Sequence, residues 1–212
     1  MSAGATAGRF TAFHGDTITV ARRLLGQRLV RVFDGPPPIR LAGLIVEVEA
    51  YLGPEDRAAH TFGGRRTPRN ESMYLPAGHA YVYFTYGMHH CLNVVCGDLD
   101  VGTAVLIRAL HPTEGRETMA AHRPAARCEE DLCSGPARLT QALAIDRRLD
   151  GADLRTDPRL FIERVRRRAL PASRILASPR IGVDYAGLWA RRPLRFTVRG
   201  SRHLSRAERR PE

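Results

Sequence analysis

The sequence predicts one α+β domain: a single mixed domain with a curved, mainly antiparallel sheet and a protruding β-hairpin. Three observations predict it. Gly43–Leu52, GLIVEVEAYL, alternates with the period of a strand. Tyr81–Asn93, YVYFTYGMHHCLN, reads as a strand, a turn at Gly87-Met88 and a return strand through Cys91–Cys96. No internal repeat and no linker-like stretch separates one part of the chain from another.

Taken in order, residues 1–10 are expected to be disordered, 11–200 to form the domain, and 201–212 to be a flexible basic tail. Asp16 can cap a helix through Ile18–Leu25 that ends at Gly26. Gln27–Phe33 is a short strand, broken by Pro36-Pro37-Pro38, and Ile39–Tyr51 is the long strand. Gly53-Pro54 turns the chain into a long loop with Arg57, His60, Arg65, Arg66, Arg69 and Asn70. A loop of that length inside a compact domain is usually functional or disordered. After the hairpin, Gly102–Leu110 is an apolar strand with Arg108 embedded in it, and Thr113–His122 is helical. Ser134-Gly135-Pro136 starts a helix over ARLTQALAI. A phosphate could sit at its N-terminus, although an ordinary cap is the plainer reading. Leu160–Val165, Arg180–Val183 and Leu194–Val198 read as strands of a second β-rich section.

The 212 residues carry a net charge of +11, and all 33 basic residues are arginines. A GC-rich genome is the ordinary cause of such a bias. Whatever its origin, a surface of forked guanidiniums suits phosphates and stacks on bases. The first expectation is a nucleic-acid binder, the second a binder of anionic membrane or small phosphates. No apolar run approaches the ~20 residues of a membrane span, and MSAGATAGRF lacks the apolar stretch of a secretory signal. A cytoplasmic, nucleoid-associated protein is expected. Cys91/Cys96 and Cys128/Cys133 form two Cys-x4-Cys pairs rather than the Cys-x2-Cys of most zinc sites. His89 and His90 adjoin one pair, but reduced, buried thiols are the expectation, with no metal.

The long strand places Leu44, Val46, Val48 and Ala50 on one face and Ile45, Glu47, Glu49 and Tyr51 on the other. The hairpin places Tyr81, Tyr83 and Thr85 opposite Val82, Phe84 and Tyr86. Cleaving a glycosidic bond passes through an oxocarbenium-like state, which a carboxylate stabilises while it deprotonates water. Tyrosine and histidine faces can sandwich a base, and a tyrosine at a hairpin tip can hold out a flipped nucleotide. Taken singly, a strand glutamate is an ordinary surface charge and a strand tyrosine a packing residue. Together, on a basic chain, they point to an enzyme acting on bases in DNA. Glu47 is expected to be a structural ion-pair partner of an arginine.

These motifs, VEAYLGPEDRAAHTFGGRRTPRNESMY, YVYFTYGMHHCLNVV, LIRALHPTEG and CSGPARLTQALAI, resemble the alkyladenine (3-methyladenine, methylpurine) DNA glycosylase family. The likeness runs from about Leu24 to Gly200. It implies a mixed fold without a helix-hairpin-helix motif, and hydrolytic excision of alkylated or deaminated purines from double-stranded DNA without cofactor or metal. The expected substrates are of the 3-methyladenine, 7-methylguanine, hypoxanthine and ethenoadenine type, and the expected enzyme is a monomer. Residue by residue, the resemblance puts the water-activating carboxylate at Glu49 and an arginine near the water at Arg108. It puts the base pocket at Tyr51, His60, Tyr83 and Asn93, and the intercalating wedge at Tyr86 with Met88 beside it. His89 stands where the family often has an aromatic residue. Two other classes compete: a damaged-base-binding protein without catalysis, which has no need of Glu49, and a carbohydrate glycosidase using Glu47 and Glu49. The +11 charge argues against the last.

Overall fold

The computed structural model describes residues 8–85 and 87–206. Its frame is an eight-stranded, antiparallel sheet in the order β3-β4-β5-β2-β1-β6, with β8 paired to β2 and β7 to β8. The strands are β1 (Arg28–Phe33), β2 (Ile39–Tyr51), β3 (Ala80–Thr85), β4 (His89–Cys96), β5 (Thr103–Glu114), β6 (Leu160–Glu163), β7 (Ile175–Ser178) and β8 (Arg195–Val198). The helices are α1 (Thr17–Leu24), α2 (Arg116–His122), α3 (Glu129–Leu132) and α4 (Pro136–Ala142). The expected α+β class is what the chain forms. No helix among the described residues is long and apolar enough to cross a membrane.

β2 is the spine. β5 follows one edge of it from Ala42 to Tyr51, while β1 and then β8 share the other edge. Its apolar side packs into the main core with Val20, Leu24, Val105, Ile107, Leu110 and Phe196. α1 covers this core on its apolar stripe, and the Asp16 carboxylate accepts the Thr19 amide at 2.8 Å, as its capping position predicts.

The alternation expected along β2 holds only from Glu47 to Tyr51. Val46 is an extra residue opposite β5, and Arg108 is an extra residue on β5 opposite β2. The phase therefore slips by one: Leu41 and Ile45 face the core upstream, Val48 and Ala50 downstream. Ile45 joins the core and not the carboxylate face, and Val46 lines a separate surface groove.

Three further expectations are corrected. β5 stays paired with β2 as far as Glu114, so the helix begins at Arg116 rather than Thr113. Gly115 makes the turn at φ +71°, where a side chain would collide with Leu41 Cδ2 and the Arg40 carbonyl. Arg180–Val183 is not a strand: Arg180 turns inward to Asp56, and Gly182 adopts φ +75°. Parts of both ends expected to be loose are packed in place. Phe10 is buried with its amide on the Ile162 carbonyl at 2.8 Å, and residues 203–206 fold back onto β2 and β8. An apolar Phe and a buried partner for Ser205 order what composition alone marks as tail.

Candidate active site

The site forms where β2, the hairpin β3–β4 and the loop between them meet. Registry aligns its residues: Tyr81 lies opposite Asn93, Tyr83 opposite Cys91, and Asn93 opposite Leu106 on β5. Apolar contacts of Ala58, Met73 and Tyr74 anchor the loop, and two polar side chains fix its backbone. Asp56 accepts the amides of Leu52 and Ala58, each at 3.0 Å. Asn70 accepts the Thr67 amide at 2.7 Å and donates to the carbonyls of His60 and Arg65 at 3.0 and 2.8 Å. Both are buried, so each backbone group they satisfy would otherwise be orphaned.

A cavity of about 390 Å³ opens there, lined by Tyr51, His60, Tyr81, Tyr83, Asn93 and Arg108 among others. That volume lies within the ~300–1,000 Å³ typical of small-molecule sites. Tyr81 and Tyr83 stack at 5.2 Å, and His60 meets Tyr83 edge-on at 4.6 Å. His60 Nδ1 lies 2.8 Å from the Tyr81 hydroxyl. The His60 pKa is pushed down to about 4, first by the packing around the ring and then by Arg69 and Arg65. His60 is also open to solvent at the cavity mouth, which softens that shift but not its direction. A neutral imidazole is the form at neutral pH. Burial pushes the Tyr51 and Tyr83 hydroxyls well up, so both stay protonated. Asn93 is pinned by its Nδ2 donating to the Tyr81 carbonyl at 3.2 Å. A second cavity of about 280 Å³, rimmed by Arg57, Arg65 and Arg69, shares His60 and Tyr81 with the first.

Glu49 is fully buried and lies beneath the cavity rather than in its lining. Its Oε2 accepts the Tyr51 hydroxyl at 3.0 Å and Arg108 Nη1 at 3.1 Å, and its Oε1 accepts the Ile181 amide at 2.8 Å. Glu47, also fully buried, is the expected ion-pair residue: its Oε1 accepts Arg108 Nε at 3.0 Å and Arg195 Nε at 2.7 Å. Burial raises the Glu47 pKa, but Arg195 and Arg108 outweigh it and hold the carboxyl below its ordinary value.

The structure thus brings Glu49, Tyr51, His60, Tyr83, Asn93 and Arg108 to one place. Met88 is elsewhere, 70% exposed at the hairpin turn and bordering a separate cleft with His89 and His90. Tyr86 lies outside the described residues. Sequence reading missed Tyr81, which lines the cavity beside Tyr83 and shares its parity on the strand, and the buried pair Arg180–Asp56. It also missed Ser205. Parity signalled the first; nothing in the local sequence signals the other two.

Cys91, Cys96 and Cys133 are buried, and Cys128 is exposed. Burial pushes the Cys96 thiol up to about 11 and the Cys133 thiol to about 12. Among the described residues, His111, Glu129 and His203 bring possible ligand atoms within 4.8 Å of one another. Their two imidazoles stack at 4.2 Å and 12°, so their in-plane lone pairs run side by side instead of converging on an ion.

Comparison with known proteins identifies the family. A family model described as methylpurine-DNA glycosylase (MPG) matches residues 11–202. The chain is 46% identical over 206 residues to the DNA-3-methyladenine glycosylase of Mus musculus, covering 93% of this chain and 60% of that protein. The human protein of the same name is 47% identical over 207 residues, covering 93% of this chain and 67% of that one. A Bacillus cereus protein named as a 3-methyladenine DNA glycosylase is 44% identical over 201 residues, covering 92% and 96%. The chain spans little more than half the length of the mouse relative and almost all of the bacterial one. By the extent of these matches, this chain belongs to the methylpurine-DNA glycosylase family.

Proposed function

We propose that this chain is a monofunctional DNA glycosylase. In this reading it flips alkylated or deaminated purines out of double-stranded DNA and hydrolyses their N-glycosidic bond. One observation carries the reading: a fully buried carboxylate, Glu49, is held by Tyr51, Arg108 and the Ile181 amide directly beneath a base-sized aromatic cavity. The names of its relatives support the substrate class.

In this reading the purine enters between Tyr51, His60 and Tyr83. Purines alkylated at N3 or N7 carry positive charge, which π faces favour and a neutral His60 does not repel. Glu49 takes a proton from water as the water oxygen bonds to the sugar C1′. The C1′–N bond breaks, and its electron pair leaves with the base. The Glu49 charge also stabilises the oxocarbenium-like transition state, while Arg108 and Tyr51 fix the direction of the carboxylate. Exposed Arg57, Arg65 and Arg69 rim the adjoining cavity and suit backbone phosphates.

A second reading, a damaged-base-binding protein without catalysis, is favoured by a single observation: the Glu49 oxygens are already taken up by protein donors. One experiment separates them. Duplexes containing hypoxanthine, ethenoadenine or 3-methyladenine are incubated with the protein, and abasic sites are revealed by alkali. Wild type is expected to release the base. Glu49→Gln should lose at least about 10³-fold in rate, the scale of a missing general base, with lesion affinity nearly unchanged. Wild type that binds but releases nothing supports the second reading, and Glu49→Gln within tenfold of wild type removes Glu49 from catalysis.

A further inference from the structure

Ser205 lies beyond the last strand and reaches the carboxylate for which the proposed reaction has no direct use. Its amide donates to Glu47 Oε2 at 2.6 Å and its hydroxyl to Glu47 Oε1 at 2.6 Å. The same hydroxyl oxygen accepts from Arg108 Nη2 at 3.3 Å. Arg195, which also holds Glu47, donates its Nη2 to the Arg206 carbonyl at 3.1 Å, and Arg206 lines the cavity.

Each nitrogen of the Arg108 guanidinium therefore has its own acceptor: Nε on Glu47, Nη1 on Glu49 and Nη2 on Ser205. The group is a rigid plane. Holding Nε and Nη2 aims Nη1, so the Ser205 hydroxyl helps to set how Nη1 meets Glu49. With Nη2 unheld, only the Nη1–Glu49 bond itself resists a pivot of the plane about its Glu47 contact. Glu47 is tied to Ser205 as firmly as to Arg108, because Ser205 supplies donors to both of its oxygens.

We propose that Ser205 is a positioning residue for base excision: held between Glu47 and Arg108, its hydroxyl keeps the guanidinium aligned on Glu49. Residues 203–206 are then a working part of the site. The inference rests on the glycosylase reading above.

The test uses the full chain, a duplex with one hypoxanthine, single-turnover rates and lesion-duplex affinity. Ser205→Ala removes the hydroxyl and keeps the amide on Glu47. It should slow excision by about 10–100-fold, the scale of a slight misplacement at a reacting group, with affinity within about threefold. The acid limb of its rate profile should move to higher pH, because Glu47 loses a donor that favours its charged form. Ser205→Thr, which restores a hydroxyl, should recover the rate to within about threefold. An unchanged Ser205→Ala rate overturns the assignment, as does a Thr variant as slow as Ala or an affinity loss matching the rate loss. Wild type inactive on every lesion would instead sink the glycosylase reading itself.

Discussion

Removing the Asp56 carboxylate should cost more stability than any other single change in the long loop. Asp56 and Arg180 pair at 2.5 and 2.8 Å with both side chains at 0% exposure. Asp56 also accepts two loop amides, and Arg180 donates to the Ala50 carbonyl at 2.8 Å and lies 4.6 Å from the Tyr51 ring centre. Asp56→Ala would leave a guanidinium uncompensated in the interior, which costs about 3–5 kcal/mol. The two freed amides regain water as the loop lifts, so they add little. For a chain of this size about 1 kcal/mol moves Tm by ~2–4 °C, so the melt should fall by ~6–20 °C. Asp56→Leu with Arg180→Met, which removes both charges, should cost less than the single change, because an apolar pair can replace an ion pair of similar volume. Thermal and urea unfolding followed by circular dichroism measure all three. Asp56→Ala within about 1 kcal/mol of wild type, or a double variant weaker than the single, would refute the argument. Lesion affinity should fall with stability, since the same loop delivers His60 to the cavity.

Three shorter predictions follow from the cavity. The folded-state pKa of His60 lies below its unfolded value, so its neutral form contributes stability above about pH 6.5, lost as pH falls toward 4. The excision rate should therefore show no His60 titration near pH 6.5, and a wild-type limb there that vanished in His60→Gln would contradict this. In the proposed reading the Asn93 amide, which lines the cavity, crowds the 2-amino group of a guanine, so Asn93→Ser should speed release of mispaired guanine by about tenfold or more; a rate no faster than wild type removes that role. Replacing Arg57, Arg65 and Arg69 together by Gln should flatten the log–log salt dependence of duplex binding by up to about 0.9 per lost phosphate contact. A titration between 50 and 200 mM salt with an unchanged slope would place the phosphates elsewhere.

Much of this arrangement was legible in the chain because it is written in period two. The boundaries Ile39–Tyr51 match the strand that forms, and Glu49 with Tyr51 on one side, like Tyr81 with Tyr83, follow from alternation. What failed did so for physical reasons. A one-residue bulge has no local signature, so the side on which Ile45 falls was misjudged. Arg180–Val183 looks like a strand by composition, but a buried ion pair with a residue far away in sequence overrides propensity. The order of residues 203–206 likewise depends on Glu47, a partner that no window around Ser205 contains.

The paired irregularities on β2 and β5 have a consequence for how such a site can change. Partners before the break, Ile45 with Leu110, and after it, Val48 with Ile107, keep one common offset; between them Glu47 with Ala109 departs from it. The two extra residues cancel, as a dislocation and its opposite heal a lattice. The sheet on either side is blind to what happens between them. Deleting Val46 alone would leave Arg108 as an unmatched extra residue on β5, with Glu49 still on the face opposite the core. Deleting Arg108 as well would restore an unbroken ladder around an empty site. The polar cluster is thus an insert in the weave, able to vary in chemistry while the fabric around it stays fixed, provided that both strands change length together.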